Sequence, residues 1–210
     1  ATDNVGTSTT YTQTLAVIDT TDPVFTSSPA DITVECDAST DPSATGQATA
    51  TDNCDSDVTV SYADTTAAGV GNNSVITRVW TATDANGNVS TYTQTITVVD
   101  TTAPVFIDSP ADITVECDAS ILPADTNGPA TATDNCDSDV TITYADTTLA
   151  GIGNNSVITR VWTATDDNSN VTTYTQTITV ADTTAPTFTI SPADITVECD
   201  ASILPADTNG

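Results

Sequence analysis

The segment Val-Val-Asp-Thr-Thr-Ala-Pro-Val-Phe, Val98 to Phe106, constrains this chain more than any other because it comes three times. Related copies run from Val17 to Phe25 and from Val180 to Phe188, which places the central aspartates at Asp19, Asp100 and Asp182. The first two are 81 residues apart and the last two 82, a period of one immunoglobulin-sized domain. The apolar, β-branched left side of the segment finishes a strand. Thr-Thr-Ala-Pro lacks a core pattern, and its proline fixes φ and disfavours helix before it. Val-Phe then starts the next strand, so the segment is a joint between repeated modules.

The repeat, rather than the length of 210 residues, sets the domain count. Two complete units are expected, 19–99 and 100–181. Residues 1–18 match only the end of a unit, as the last strands of a preceding repeat, and residues 182–210 match only a beginning. The expectation is therefore a window on a longer array.

Within one repeat, Val24 to Thr26 and Ile32 to Cys36 read as two halves of a first strand, interrupted by Ser-Ser-Pro. Alternation puts Ile32, Val34 and Cys36 on a core face and Thr33, Glu35 and Asp37 on the other. Ala48 to Thr51 and Val58 to Tyr62 follow as strands, and Gly69 to Asn73 is a turn. A long strand lies within Val75 to Val89, and Tyr92 to Val99 closes the unit. Short strands, regular turns and no helical period predict an all-β fold, tandem two-sheet β-sandwich repeats in an extended array. Trp80 and Trp162, one per repeat, are the expected core anchors. Arg78 and Arg160 are the only basic residues. They are expected to pair across strands with Glu35 and Glu116, to stack on their tryptophans, or to lie solvated at a sheet edge.

Against two basic residues stand 29 acidic ones, a net charge of −27, which excludes nucleic acid and anionic membrane surfaces as partners. No apolar run approaches the ~20 residues of a membrane span. There is no His and no Met. Nucleophile and base arrangements lack their usual partners, and the abundant carboxylates lie in turns copied from module to module, so no enzyme activity is expected.

Five cysteines, Cys36, Cys54, Cys117, Cys136 and Cys199, fit two per repeat and an oxidising, extracellular setting. With no His and no C-x-x-C, zinc is set aside. Pairing within a repeat, Cys36 with Cys54 and Cys117 with Cys136, closes short loops worth roughly 3 kcal/mol each. The competing arrangement crosses the joint and brings Cys36 to Cys136.

Carboxylates and amides cluster where the chain enters a sandwich. For the second repeat these are Asp100 with Asp134, Asn135 and Asp137 and with Asp166 and Asn168; for the first, Asp19 with Asp52, Asn53, Asp55, Asp84 and Asn86. Three separated stretches converge on one point in such a fold, and oxygen-rich sites of tolerant geometry suit Ca²⁺. These residues are the expected metal ligands, although no twelve-residue calcium loop is present. Asn-x-Ser/Thr at Asn72 and Asn154 makes both candidate glycosylation sites.

Taken together, the Pro-Val-Phe start, Asp-Ile-Thr-Val-Glu-Cys, Ala-Thr-Asp-Asn-Cys and Thr-Arg-Val-Trp-Thr-Ala-Thr-Asp resemble the hyalin-type (HYR-like) repeats found in tandem in very large secreted bacterial surface proteins. Related repeats often carry two more cysteines, absent here near Asn73 and Asn86 and near Asn155 and Asn168. The resemblance implies an immunoglobulin-like fold and a stalk, adhesive or fibre-forming role at the secreted, extracellular cell surface; the expected calcium and disulfides would stiffen it. The expected partners are neighbouring repeats of the same chain, with lateral or end-to-end self-association. The alternative is an adhesin module binding a glycan or surface protein ligand.

Overall fold

The computed structural model describes residues 1–200 except Asp3 and Pro192; the last ten residues of the 182–210 segment lie outside it. The described residues form twelve strands. In the first repeat they are β1 (Val24–Ser27), β2 (Ile32–Glu35), β3 (Thr49–Thr51), β4 (Thr59–Ala68), β5 (Ser74–Thr83) and β6 (Val89–Val99). In the second they are β7 (Val105–Asp108), β8 (Ile113–Glu116), β9 (Thr131–Thr133), β10 (Thr141–Ala150), β11 (Ser156–Thr165) and β12 (Val171–Ala181). Segments 1–18 and 182–200 carry no strand among the described residues, only an isolated bridge between Thr2 and Ser8.

Each repeat builds the same pair of sheets. β1 pairs with β3, and β2-β6-β5-β4 form a four-stranded sheet; β7 pairs with β9, and β10-β11-β12-β8 form the second four-stranded sheet. The two halves of the expected first strand thus separate. Ser-Ser-Pro between them lets β1 join one sheet antiparallel to β3 while β2 joins the other, parallel to β6. The chain is all-β, two tandem sandwiches, as the alternation predicts. The polar loop differs from expectation in detail, forming a one-turn helix, α1 (Pro42–Thr45), with proline in its first turn; Pro123–Asp125 forms a 3-10 turn at the equivalent place.

By contacts the described chain divides into two compact units. The first comprises Ala1–Ser109, Pro129–Ala145 and Val161–Thr175; the second comprises Pro110–Gly128, Asp146–Arg160 and the described residues from Gln176 onward. In the first, Ile76, Ile96 and Val98 form an apolar cluster with Ile32, Val34 and Cys36 packed on it. In the second, Ile158, Ile178 and Val180 do the same with Ile113, Val115 and Cys117. The alternation read from Asp-Ile-Thr-Val-Glu-Cys therefore selects the core face correctly.

Beside the first cluster the interior is polar. Arg78 is 1% exposed, and its partner is Asp64, directly opposite it in the β4–β5 register, not Glu35. Nε and Nη2 donate to the two carboxylate oxygens at 2.8 Å each, Nη1 donates to Thr45 Oγ1 at 2.9 Å and Nη2 to the Thr40 carbonyl at 2.8 Å. The guanidinium also lies over the Tyr62 ring, 4.6 Å from its centroid, and 5.9 Å from that of Trp80. In the second unit Arg160 holds Asp146 in the same fork at 2.8 Å and donates to Thr126 Oγ1 at 3.0 Å and the Ile121 carbonyl at 2.6 Å. The Glu35 and Glu116 expectation fails because β4 continues past Tyr62 to Ala68 and so carries Asp64 to the arginine. Trp80 is 4% exposed and donates to buried Gln94, whose amide donates in turn to the carbonyls of Ala30 and Thr45.

This fork ties α1 to the middle of the sheet, so its loss has a defined cost. Arg78→Met leaves a carboxylate facing the interior and should lower the unfolding free energy by about 2 to 3 kcal/mol, the low end for a broken buried pair because Asp64 keeps 30% side-chain exposure. The double variant Arg78→Met, Asp64→Leu should recover most of that loss. Urea unfolding of both variants checks it; a single variant within about 0.5 kcal/mol of wild type would place the arginine among ordinary surface residues.

Candidate metal centre

The loop after the third strand of each repeat is a self-bonded turn led by an aspartate. Asp134 Oδ1 accepts the N–H groups of Cys136 at 2.8 Å and Asp137 at 3.0 Å, as Asp52 Oδ1 accepts those of Cys54 at 2.8 Å and Asp55 at 3.1 Å. The hairpin loop of the last two strands is built in the same way. Asp166 accepts the N–H groups of Asn168 at 2.9 Å and Asn170 at 2.8 Å and the Asn170 side-chain amide at 2.8 Å. Asp84 does so with Asn86 and Asn88. These turns fix where each leading carboxylate sits.

In the first unit, two such turns meet the chain that links the repeats. Oxygens of Asp100, Asp134 and Asp166 all lie within 4.8 Å of one another. Asp100 and Asp166 are each 6% exposed, and Asp134 Oδ2 is buried and accepts no hydrogen bond. Burial raises the Asp100 carboxyl above the ordinary carboxylate range; the Thr102 N–H opposes this, and the charges of Asp134 and Asp166 add to the rise. The first repeat assembles Asp19, Asp52 and Cys54 within the same limit, and Asp19 Oδ2 and Asp52 Oδ2 are again buried and accept no bond. Hydrogen bonds led by the Cys54 N–H hold Asp52 below its usual range.

Of the expected ligands, Asp100, Asp134 and Asp166 converge, as do Asp19 and Asp52. Others are used elsewhere. Asp137 accepts the N–H groups of Asp139 at 2.9 Å and Asp167 at 2.8 Å, and Asp55 those of Asp57 at 2.9 Å and Ala85 at 2.6 Å. Asn135 and Asn53 donate to the sulfurs of Cys136 and Cys54 at 3.0 and 3.1 Å. Asp84 stays in its own turn, where hydrogen bonds from Asn88, Asn86 and Gly87 outweigh burial and hold it below the usual range. Asn86 donates to the Asp19 carbonyl at 3.4 Å, and Asn168 donates to Asn73 Oδ1 at 3.0 Å with its own Oδ1 buried and accepting no bond.

The disulfide corrects the first cysteine expectation. Cys36 bonds Cys136, Cα to Cα 6.0 Å, and Cys54 and Cys117 are free. The topology explains this. β2 runs parallel to β6, so Cys36 follows Glu35 to the end where Val99 leaves the repeat; Cys54 follows β3, whose Thr51 pairs with Val24 where the chain enters. The strands between span roughly 35 Å for eleven residues, far beyond a bridge. The sulfurs of Cys36 and Cys136 lie beside Asp100, within the same 4.8 Å limit.

Residues outside the expected ligand set complete the joint. Asn73 Oδ1 accepts the Asp100 N–H at 2.8 Å, Asn170 donates to the Asp100 carbonyl at 3.3 Å, and Glu35 accepts the Thr101 N–H at 3.2 Å as well as the Thr101 hydroxyl. The Asn72 side-chain nitrogen donates to the Cys136 carbonyl, and a glycan there would leave that nitrogen a single N–H; Asn154 is exposed. The signal available for Asn73 was the Gly-x-Gly-Asn-Asn-Ser hairpin tip, repeated up to Asn155 and Ser156.

Fold and joint define a tandem β-sandwich repeat protein, and comparison with known proteins gives the family. Residues 24–98 and 105–180 each match the model described as "HYR-like domain with 4 cysteines", and the chain belongs to that family; each of its repeats carries two of the four. No curated protein matches. Among solved structures, mouse clustered PcdhgC3 EC1-3 is similar at 15% identity and TM-score 0.35, over 77% of this chain and 68% of that one. Human mucin-like protocadherin EC1-2 is similar at 14% and 0.31, over 76% and 98%, and Drosophila N-cadherin EC1-4 at 17% and 0.30, over 76% and 50%.

The raised Asp100 carboxyl makes a pH prediction. A carboxyl whose pKa is raised on folding binds more protons in the folded state, so stability falls as pH climbs from about 4 through the raised value. In chelator, Asp100→Asn should therefore remove part of the wild-type loss of unfolding free energy over that interval. Denaturant titrations at a series of pH values compare the two slopes. Equal slopes would mean that the joint places no charge penalty on Asp100.

Proposed function

We propose that this chain is a non-catalytic structural part of an extracellular stalk or fibre, its modules 19–99 and 100–181 held at their joint by Ca²⁺ as well as by the disulfide. The observation that carries the reading is Asp134 Oδ2, a buried carboxylate oxygen without a hydrogen bond, beside Asp100 and Asp166. Gathered carboxylates repel at this distance, and a cation reverses the sign of that interaction. Ca²⁺ fits the donor chemistry, since it takes carboxylate, amide and backbone oxygens without strict geometry. The Asp-led turns would hold the first ligands, the Asn73 and Asn168 amides would orient the linking chain, and the ion would supply the positive charge that the chain lacks. Near-identical repeats favour mechanics over selective recognition. Among the described residues no helix is long and apolar enough to cross a membrane.

Calorimetric titration of the full chain with CaCl₂ tests this. A saturable site should be lost in Asp134→Ala and in Asp166→Ala, and at one hundred times Kd the ion should add about 2.7 kcal/mol to wild-type stability. Only weak, unsaturable binding, unchanged in both variants, would contradict it.

A further inference from the structure

The bridged cysteines have counterparts that the bridge leaves over. Cys117 occupies in the second repeat the place of Cys36, and Cys54 occupies in the first the place of Cys136; both are free. Around Cys117 the second unit repeats the setting of Cys36. Cys117 packs on Ile158, Ile178 and Val180 as Cys36 packs on Ile76, Ile96 and Val98. Asn155 Oδ1 accepts the Asp182 N–H at 2.7 Å, as Asn73 accepts that of Asp100 at 2.8 Å. Glu116 accepts the Thr183 N–H at 3.1 Å and its hydroxyl, as Glu35 does with Thr101. The half-joint that receives a loop cysteine is already assembled.

Cys54 matches Cys136 in its turn geometry, its N–H on Asp52 Oδ1 and the Asn53 amide at its sulfur. It differs in surroundings: Cys136 is 4% exposed under its joint, whereas Cys54 is exposed. Next to it, Asp19 Oδ2 and Asp52 Oδ2 are buried and accept no hydrogen bond. This is the complementary half.

We propose that Cys117 and Cys54 are each one half of a staple to a neighbouring HYR-like repeat: Cys117 receives the cysteine of an Asp-Asn-Cys-Asp loop, and Cys54 receives a strand-end cysteine of the Val-Glu-Cys type. Bridges then run from repeat to repeat and never within one, so that a line of covalent links accompanies the polypeptide. The inference rests on the modular reading above but not on the cation. Chemically, the Cys117 thiolate attacks a small disulfide such as glutathione disulfide and expels one glutathione thiolate. The loop thiolate then attacks the Cys117 sulfur and expels the second. Two cysteine thiols are oxidised, losing two protons and two electrons, and glutathione disulfide is reduced to two glutathiones.

The full chain extended after Gly210 by a second copy of Pro129–Ala181 completes a third repeat and adds one loop cysteine. Refolded in glutathione buffer, alkylated without denaturant and mapped by peptide mass spectrometry, it should show the added cysteine joined to Cys117, Cys36 joined to Cys136, and Cys54 and Cys199 alkylated. A folded third repeat with Cys117 still alkylatable overturns the proposal while leaving the modular reading intact; loss of the Cys36–Cys136 bridge overturns the modular reading itself. Cys36→Ser and Cys136→Ser in the unextended chain give a second readout that needs no extension. The partner cysteine should then stay a thiol, and a bridge between Cys117 and Cys136 or between Cys36 and Cys54 overturns the proposal.

Discussion

Three carboxylates within 4.8 Å of one another, two of them nearly out of water, are the constraint on which the rest of the joint depends. A chain of net charge −27 has no spare cation to set among them, since its two arginines are committed to Asp64 and Asp146. The arrangement nevertheless persists through directed bonds. Asx turns hold Asp134 and Asp166 from behind, Asn73 and Asn170 hold the backbone of Asp100, and Cys36–Cys136 closes the joint beside them. Each of these contacts reduces the freedom of groups that repel, and the N–H groups donated to Asp134 and Asp166 also ease the repulsion.

The repeat interiors solve a related problem by other means. The apolar clusters are small, three aliphatic side chains with two more and a cysteine packed on them, and cannot by themselves order a loop as long as that between β2 and β3. The arginine does this. Its four hydrogen bonds reach across the strand to a carboxylate and outward to α1 and the Thr40 carbonyl, so one side chain fixes sheet, helix turn and loop. Gln94 adds a second tie to the same turn, through Trp80 on one side and the Thr45 carbonyl on the other. The polar core is thus bonded rather than merely buried, which is the condition for keeping a guanidinium 1% exposed.

Much of this was legible in the sequence, for physical reasons that can be named. Period-2 alternation in Ile32, Val34 and Cys36 is set by one buried face, and Asp-Asn clusters mark turns because their side chains bond the backbone two residues on. Asp134 and Asp166, which lead such turns, converge with Asp100 of the repeated joint segment, whereas Asp84, which also leads one, stays apart. What escaped depends on register and on distance through space. Each complete repeat has one Arg and one Glu, which makes Glu35 the partner for Arg78 that the sequence offers, and Ala-Asp-Thr-Thr after Tyr62 breaks the apolar pattern; the strand continues because its ladder, not its side chains, carries it to Ala68. Proximity in sequence favoured Cys36 with Cys54, whereas parallel pairing of β2 with β6 carries Cys36 to the opposite end of its repeat. The Asn73 side chain accepts the Asp100 and Asn168 N–H groups across the joint, where no local pattern points.

The central claim is that a divalent cation belongs among those three carboxylates, and diffraction from crystals of the full chain grown with CaCl₂ measures it most directly. The account predicts an anomalous peak bound at roughly 2.3 to 2.6 Å by oxygens of Asp100, Asp134 and Asp166. Ordered water alone at that point, or carboxylates turned apart to solvent in the presence of saturating calcium, would contradict it.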